Sequence, residues 1–460
     1  MSDDHYYAYD DDDDSWEGAA GDWSPNAEDM SLLTQLGIEF VPPKYWRSNG
    51  YSRDHAYCLM PHLQQLILRE TRDVMNGDYR LQDYEKKKYD AQVTILHWLR
   101  KNGRIENHNP ARRVVIPHDD ALLPMWRALA GAIRNDPSGR FKLDFTGVEL
   151  TKNLLEVIFE SFGGKDIITA LFRSANLNRE ALGSILSFAA ARPELSSLYL
   201  DQNVIFRDPA IILESFSSMQ HVASLHVTRC QINVEGAKVL SNILQGNPLL
   251  RDLDISHNQV GDDGVQWLAV GLKANTNLRL LHMEDNAVTR VGHGHLLTAL
   301  MDRSSLSSII ASNHSCEMMS YDGSARWTNL DDVYEQLLDG PVDSTSALQY
   351  AAGCHYYSGR TPANSAARKI LFAVREDVQR CPVYFVDLGL GVLPRLLRLL
   401  QLAPSCIEKK FPAGLSWNAW LELVEDRRVL SSVFETMKCF GPELAACANG
   451  RRLSKRKRDD

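Results

Sequence analysis

His226, Asp254 and His282 recur at intervals of 28 residues. If that interval separates neighbouring parallel strands, the three side chains form one column with steps of about 4.8 Å. Two imidazoles around a carboxylate can ligate zinc or move protons in acid–base chemistry. No nucleophile or third imidazole is fixed beside them except His257 or Glu284, so a metal-dependent hydrolase is the weaker use of the column. DLGLG at Asp387 to Gly391 has the glycines of a phosphate loop but lacks the full GxGxxG spacing and the lysine. It reads better as a break before the apolar run LPRLLRLL. Near the end of the chain, Arg451, Arg452, Lys455, Arg456, Lys457 and Arg458 surround Ser454. Such a cluster can be read by nuclear import receptors, and RRLS is similar to a basophilic-kinase substrate whose phosphate would reduce the positive charge. Nonspecific contact with nucleic acid is the lesser expectation.

The elements that would position the histidine column emerge from self-similarity between about Phe141 and Cys316. Aligned segments such as LSSLYLDQNVI, VASLHVTRCQI and LRDLDISHNQV share central apolar residues. These are Leu143, Leu171, Leu198, Leu225, Leu253, Leu281 and Ile309, spaced 28, 27, 27, 28, 28 and 28 residues apart. Five positions later stand Val148, Asn176, Asn203, Cys230, Asn258, Asn286 and His314. The middle five match the Asn/Cys position of an LxxLxLxxN/CxL repeat, where an inward-turned polar side chain satisfies backbone groups left open by the turn. Helical periodicity follows each strand, as in Ala237, Val239, Leu240, Ile243 and Leu244. Arg173 interrupts the apolar pattern of the second unit, and RRVVIP followed by DDALLPMWRALAGAIRN reads as a degenerate first unit, with Val115 lying 28 residues before Leu143.

On these residues the chain resembles the leucine-rich repeat family, and a full helix per repeat with a period near 28 resembles its ribonuclease-inhibitor-like subtype. The resemblance implies an α/β solenoid with a curved parallel sheet inside, helices outside, and a concave protein-binding face. Alternation along the strands then points Phe172, Tyr199, His226, Asp254 and His282 into the concavity, followed by Asp201 and Glu284, then Arg229, His257 and Asp285. Aromatic anchors among polar groups suit protein recognition. The expected function is therefore a non-catalytic intracellular interaction scaffold with a protein partner, no cofactor and no metal. A regulator of a small GTPase is the alternative, since repeat proteins with acidic tails can resemble Ran GTPase-activating proteins. It would need an arginine such as Arg229, Arg251, Arg279 or Arg290 at the rim.

The whole chain has 460 residues, 44% hydrophobic and 24% charged, which suits a folded body. Its net charge of -9 is uneven: residues 1 to 30 hold eleven acids and no lysine or arginine, leaving 50 - 48 = +2 for the rest. The acidic start argues against a secretory signal, and an uncharged apolar stretch of about 18 residues is lacking, so no membrane association is expected. Eight cysteines without a CxxC pair fit a reducing compartment, cytoplasmic or nuclear. The expected organisation is a disordered acidic tail (1–35), an N-terminal helical cap (36–112), the repeat array (113–320), a C-terminal helical domain (321–447) and a basic tail (448–460). Two helices are expected between Ser52 and Asn102, the second carrying Tyr84, Tyr89, Val93, Leu96, Trp98 and Leu99. Trp417 and Trp420 are expected in the core of the C-terminal domain.

Overall fold

The computed structural model describes residues 25–96, 100–101, 104–105, 115–205, 212, 219–300, 302, 308, 311–313, 315–322 and 326–329. The first 24 residues of the acidic start, Arg451 to Arg458, Ser454, Trp417, Trp420 and His314 lie outside them. The described residues fall into two compact units. The first runs to Val260 and includes Met283–Ala287; the second holds Gly261–His282 and resumes at Val288.

The first unit begins with helices α1 (Ala27–Leu36), α2 (Pro43–Ser48) and α3 (Met60–Asn76). Helix α1 corrects the end of the tail expected over 1–35: Asn26 caps it by accepting from Asp29 N at 2.8 Å, and Leu32 and Leu33 are buried. Leu63, Ile67 and Val74 recur on one side of α3 and are buried, as an amphipathic helix requires. Gln64 pins the incoming chain by accepting from Val41 N (2.9 Å) and donating to Val41 O (3.0 Å). Glu70 Oε1 accepts from Thr94 N at 2.6 Å, so α3 occupies part of a strand edge that would otherwise be open.

That edge is β1 (Ala91–Leu96), which pairs in parallel with β4 (Arg140–Thr146), Val93 opposite Leu143. The second helix expected before Asn102 is therefore corrected: Glu85–Lys87 is a single 3₁₀ turn and the segment continues as a strand. The reason is visible in Ala91, Val93 and Ile95, which alternate at period two and are fully buried. Val115 is also corrected as the first-unit strand. Ile116 instead bridges Val148, with Ile116 N donating to Gly147 O and Glu149 N to Ile116 O, each at 2.9 Å. Val93 precedes Leu143 by 50 residues, so this unit carries 50 - 28 = 22 extra residues. They include the short antiparallel pair β2 (Arg100–Lys101) and β3 (Arg104–Ile105). Helix α4 (Leu123–Asn135) then buries Trp126 and leads into β4.

Strands β5 (Asp166–Arg173), β6 (Ser197–Tyr199), β7 (Ser224–His226) and β8 (Asp252–Asp254) continue the parallel order after β4. Helices α5 (Lys152–Ser161), α6 (Arg179–Ala190) and α7 (Val234–Gln245) connect strands on the leucine side. Thr151, Asn178 and Asn233 start them by accepting first-turn N–H groups. Leu198, Leu225 and Leu253 stand opposite one another in the ladders and are fully buried.

In β5 the register moves by one residue. Phe141 pairs with Ile167 but Lys142 pairs with Thr169, so Ile168 is an extra bulged residue. Ala170, not Leu171, takes the central position opposite Leu143 and Leu198. Phe172 is consequently corrected from a concave to a core residue. It is fully buried, parallel to Phe145 at 6.3 Å and edge-on to Phe159 at 6.0 Å. Asn176 is likewise corrected: it is exposed and its amide reaches Glu149 at 2.8 Å, while Ala175 occupies the inward position.

Beyond the strands, each turn passes through a left-handed residue: Gly147, Ser174, Gln202, Arg229, His257 and Asp285, with φ between 47° and 75°. Within this series glycine fills only the first position, although left-handed geometry disfavours other residues by about 1–2 kcal/mol. The N–H groups of the first five donate to Arg173, Asp201, Thr228, Ser256 and Glu284 carbonyls in turn. Behind them the inward side chains close the ladder. Asn203 Oδ1 accepts from Ala175 N while its amide donates to the Phe172, Leu200 and Asp201 carbonyls. Asn258 accepts from Cys230 N (2.8 Å) and Ile232 N (3.0 Å) and donates to Val227, Ile255 and Ser256. Asn286 donates to Ile255, Met283 and Glu284, and Cys230 offers its single S–H to Leu200 O and Thr228 O.

The second unit contains α8 (Gly261–Ala274), β9 (Leu280–His282), α9 (Arg290–Leu300), β10 (Glu317–Asp322) and β11 (Arg326–Asn329). Gly292 is required where α9 starts, because a Cβ there would stand 2.5 Å from Asp262 Oδ1 and 2.7 Å from Val288 Cγ1. Ile309, the expected strand centre, lies outside the described residues; β10 pairs with β9 through Met318 opposite Leu281, a spacing of 318 - 281 = 37, and Ser308 and Ala311 are helical. Asn313 serves the approach to β10, donating to Leu272 O and Asn275 O and accepting from Ser315 N and Cys316 N. Antiparallel pairing of β10 with β11 places strand where the helical domain was expected to begin.

Asn258→Ala strips one buried amide of its contacts with five backbone groups and should lower stability by about 1–3 kcal/mol. Glu156→Ala, on the exposed side of α5, should stay within about 0.5 kcal/mol of wild type. Urea denaturation compares them, and equal midpoints for the two variants would contradict the ladder.

Candidate functional site

Opposite the leucine side, the strand residues flanking Leu198, Leu225 and Leu253 form two columns. One is Ser197, Ser224 and Asp252; the other is Tyr199, His226 and Asp254. Strand alternation alone separates them from the core. The Tyr199 and His226 rings stack with centroids 4.1 Å apart and planes 17° from parallel. His226 Nδ1 lies 3.6 Å from Asp254 Oδ2, its Nε2 lies 3.1 Å from Ser224 Oγ, and Asp252 Oδ2 is 4.0 Å from Nε2. Asp201, just past β6, accepts from Thr228 N (2.9 Å) and Thr228 Oγ1 (3.0 Å).

The electrostatics follow from this packing. Burial works against a charged His226, but pairing with Asp254 and the charges of Asp201 and Asp252 outweigh it and hold the pKa above the ordinary histidine value. Burial raises the Asp201 pKa, opposed by the nearby His226 charge. Burial also pushes the Asp254 pKa up, but its bonds to His226 and Ser256 overcome that effect and hold it below the usual carboxylate range. Burial, with the Asp252 and Asp201 charges, pushes the Tyr199 hydroxyl up to about 12, so it stays protonated.

A second pair lies in the turns: His257 Nδ1 is 2.8 Å from Asp285 Oδ2. Burial and the Arg229 charge lower the His257 pKa despite Asp285, and burial also lowers that of Arg229. Glu284 belongs to the same unit as these residues. His282 ends β9 in the second unit, where it is buried. Of the expected site, the first unit thus brings Tyr199, Asp201, His226 and Asp254 together and pairs His257 with Asp285; Phe172 belongs to the core.

Sequence reasoning missed Asp252, Arg173 and the segment before β1. Arg173 pairs with Asp144 at 3.1 Å and reaches Thr146 Oγ1 at 3.3 Å. Lys142 pairs with Glu85 at 2.5 Å, and Tyr89 and Lys88 both meet Thr169 Oγ1, at 2.8 and 3.3 Å. The dense lysines and tyrosines of DYEKKKYD were the available signal, obscured by the helical reading. Among the described residues, no group of three or more His, Cys, Asp or Glu side chains could hold a metal ion. No helix among them is long and apolar enough to cross a membrane.

A strand, a left-handed turn with an inward amide or thiol, and a helix recur in the first unit, which defines an α/β repeat protein. Residues 218–241 and 246–269 match the Leucine Rich repeat family model, so the chain carries leucine-rich repeats. It is also similar to human NACHT, LRR and PYD domains-containing protein 7, at 27% identity over 122 residues. That stretch is 26% of this chain and spans only 12% of the relative. Leucine-rich repeats suggest a role in protein interaction.

The raised His226 pKa gives the stability a defined pH dependence. Its pairing contributes fully below the ordinary value of 6.5 and is lost as pH rises through the folded value. Urea titrations of wild type and His226→Gln from about pH 5.5 to 9 should show a stability advantage for wild type that shrinks with pH. An advantage that is constant or grows with pH would contradict the pairing.

Proposed function

We propose that the chain is a leucine-rich repeat solenoid of the ribonuclease-inhibitor-like subtype, with its parallel sheet concave and its ends covered by helical caps. It acts as a non-catalytic intracellular scaffold whose protein partner sits on the concave face. The proposed organisation runs from an acidic tail to a basic tail (448–460) as expected from sequence, with α1 drawn into the N-terminal cap and the array's sheet extended back to β1. The observation that carries the functional reading is the Tyr199–His226 stack bordered by Asp201, Asp252 and Asp254. It combines a flat aromatic surface with oriented charges, the combination that anchors protein interfaces. Arg229, His257 and Asp285 extend this face at the turns. The repeats supply their spacing without supplying a reaction.

Combined Tyr199→Ala, His226→Ala and Asp254→Ala substitution should reduce capture of the partner by about tenfold or more. Affinity purification with mass spectrometry measures this, while circular dichroism checks that the variant is folded. Undiminished capture by a folded triple variant would place the partner elsewhere.

We further propose that the chain works in the cytoplasm and nucleus, directed by Arg451, Arg452, Lys455, Arg456, Lys457 and Arg458. Residues 448–460 fused to a fluorescent cargo too large for passive entry should concentrate it in nuclei. Ser454→Asp should reduce that concentration by lowering the local positive charge. Diffuse cytoplasmic signal from the unaltered tail would contradict the import reading.

A further inference from the structure

Helix α3 buries Leu63, Ile67 and Val74 along one stripe, and Glu70 fills the position between Ile67 and Val74 where an amphipathic helix calls for an apolar side chain. The residue is 6% exposed, and its one hydrogen bond among the described residues comes from Thr94 N to Oε1 at 2.6 Å. No lysine or arginine among them forms an ion pair with it. Earlier on the same helix Gln64 does the equivalent work with a neutral amide, accepting from Val41 N at 2.9 Å. An amide would therefore serve Thr94 N as well as a carboxyl does. What the acid adds is a proton, held where α3 meets the edge of β1 away from β4.

We propose that Glu70 makes the seating of α3 on β1 a proton-dependent latch, closed while the carboxyl holds its proton and loosened as the pH rises past neutral. Burial drives the Glu70 pKa up to about 7 against the Thr94 hydrogen bond, with Asp73 adding to the rise and Arg69 and Arg80 opposing it. Arg80 is itself held by Asp73 at 2.7 Å. Tyr79, from the turn after α3, also faces Glu70, and its hydroxyl donates to Asp136 at the end of α4. Where α1 packs on α3, Arg72 is engaged by Glu28 and Asp29 at 3.2 and 2.5 Å. The docked carboxyl binds its proton more tightly than one in water with the ordinary value of 4.5, so docking is favoured most below that value. The advantage is lost as the pH rises toward about 7 and stays lost above it. Lifting α3 brings the carboxyl into water, passes its proton to solvent and uncovers Thr94 N; no covalent bond but the carboxyl O–H changes. The latch stands independently of the concave-face reading.

Native-state hydrogen exchange of the full chain, resolved at the β1 amides and corrected for the intrinsic rise of exchange with pH, reads the latch directly. In wild type the protection of Thr94 should fall by up to about tenfold per unit between about pH 5 and 7 and level off above that range. Glu70→Gln keeps an acceptor for Thr94 N, as Gln64 does for Val41 N, but has no proton to lose. Its Thr94 protection should be flat over the same range and exceed that of wild type by about tenfold or more near pH 8. The amides of Leu198 and Leu225, on β6 and β7, report global opening and should have the same pH profile in both proteins. A flat Thr94 profile in wild type, an equal slope in Glu70→Gln, or Thr94 losing protection only in step with Leu198 and Leu225 would each overturn the proposal. Should Glu70→Gln fail to fold, the side-chain carboxyl carbon of Glu70 in wild type decides by its nuclear magnetic resonance shift. A titration midpoint near 7 is expected, and one near the ordinary 4.5 would overturn the latch.

Discussion

A turn that leaves the end of every strand must find partners for backbone groups carried into the interior, where an unmet donor or acceptor costs about 1–3 kcal/mol. Asn203, Asn258 and Asn286 meet that demand by committing both ends of a side-chain amide to the main chain. The left-handed residue just before each of them supplies the sharp change of direction, even where it is Gln202, His257 or Asp285 rather than glycine. The rest follows from this closure. With the turns tied, Leu198, Leu225 and Leu253 fall in one buried row, and Tyr199, His226 and Asp254 fall in one row on the opposite side. Cys230 fills the same position with a weaker donor, so the closure tolerates a change of chemistry but not of direction.

Where the repeat is regular, its spacing makes both rows legible in the sequence itself. The reading slips where one strand departs from that spacing. Ile168 bulges in β5, and its extra residue sends Leu171 to the wrong position, carries Phe172 from the core to the surface and makes Asn176 look inward. Val93 is hidden by the 22 residues that separate β1 from the ordinary period, and Met318 by the longer approach to β10. These are failures of counting, because a periodic pattern carries no mark of an insertion. The candidate site is legible to the extent that it lies on short regular strands. Asp252 escapes notice when only the column after each central leucine is followed, and Lys88 and Tyr89 escape because they come from outside the repeat altogether.

The chemistry of the face depends on the same placement. In isolation His226 would be an ordinary histidine and Asp254 an ordinary carboxylate. Side by side and largely out of water, they hold each other charged, while the Tyr199 ring covers the imidazole. The result is a surface organised around charge and one aromatic plane. That arrangement suits the protein-interaction role that leucine-rich repeats suggest, with both nitrogens of His226 held by neighbours in Asp254 and Ser224.

The claim that buried amides tie the turns together is tested most directly at the N–H groups they accept. Those of Ala175, Cys230 and Ile232 bond to Asn203 or Asn258 rather than to a carbonyl of a strand. Native-state hydrogen exchange followed residue by residue should find these three amides protected to nearly the free energy of unfolding of the first unit. Exchange at the rate of an open loop, with the neighbouring strands still protected, would show that the turns are not held by these side chains and would contradict their central role in the fold.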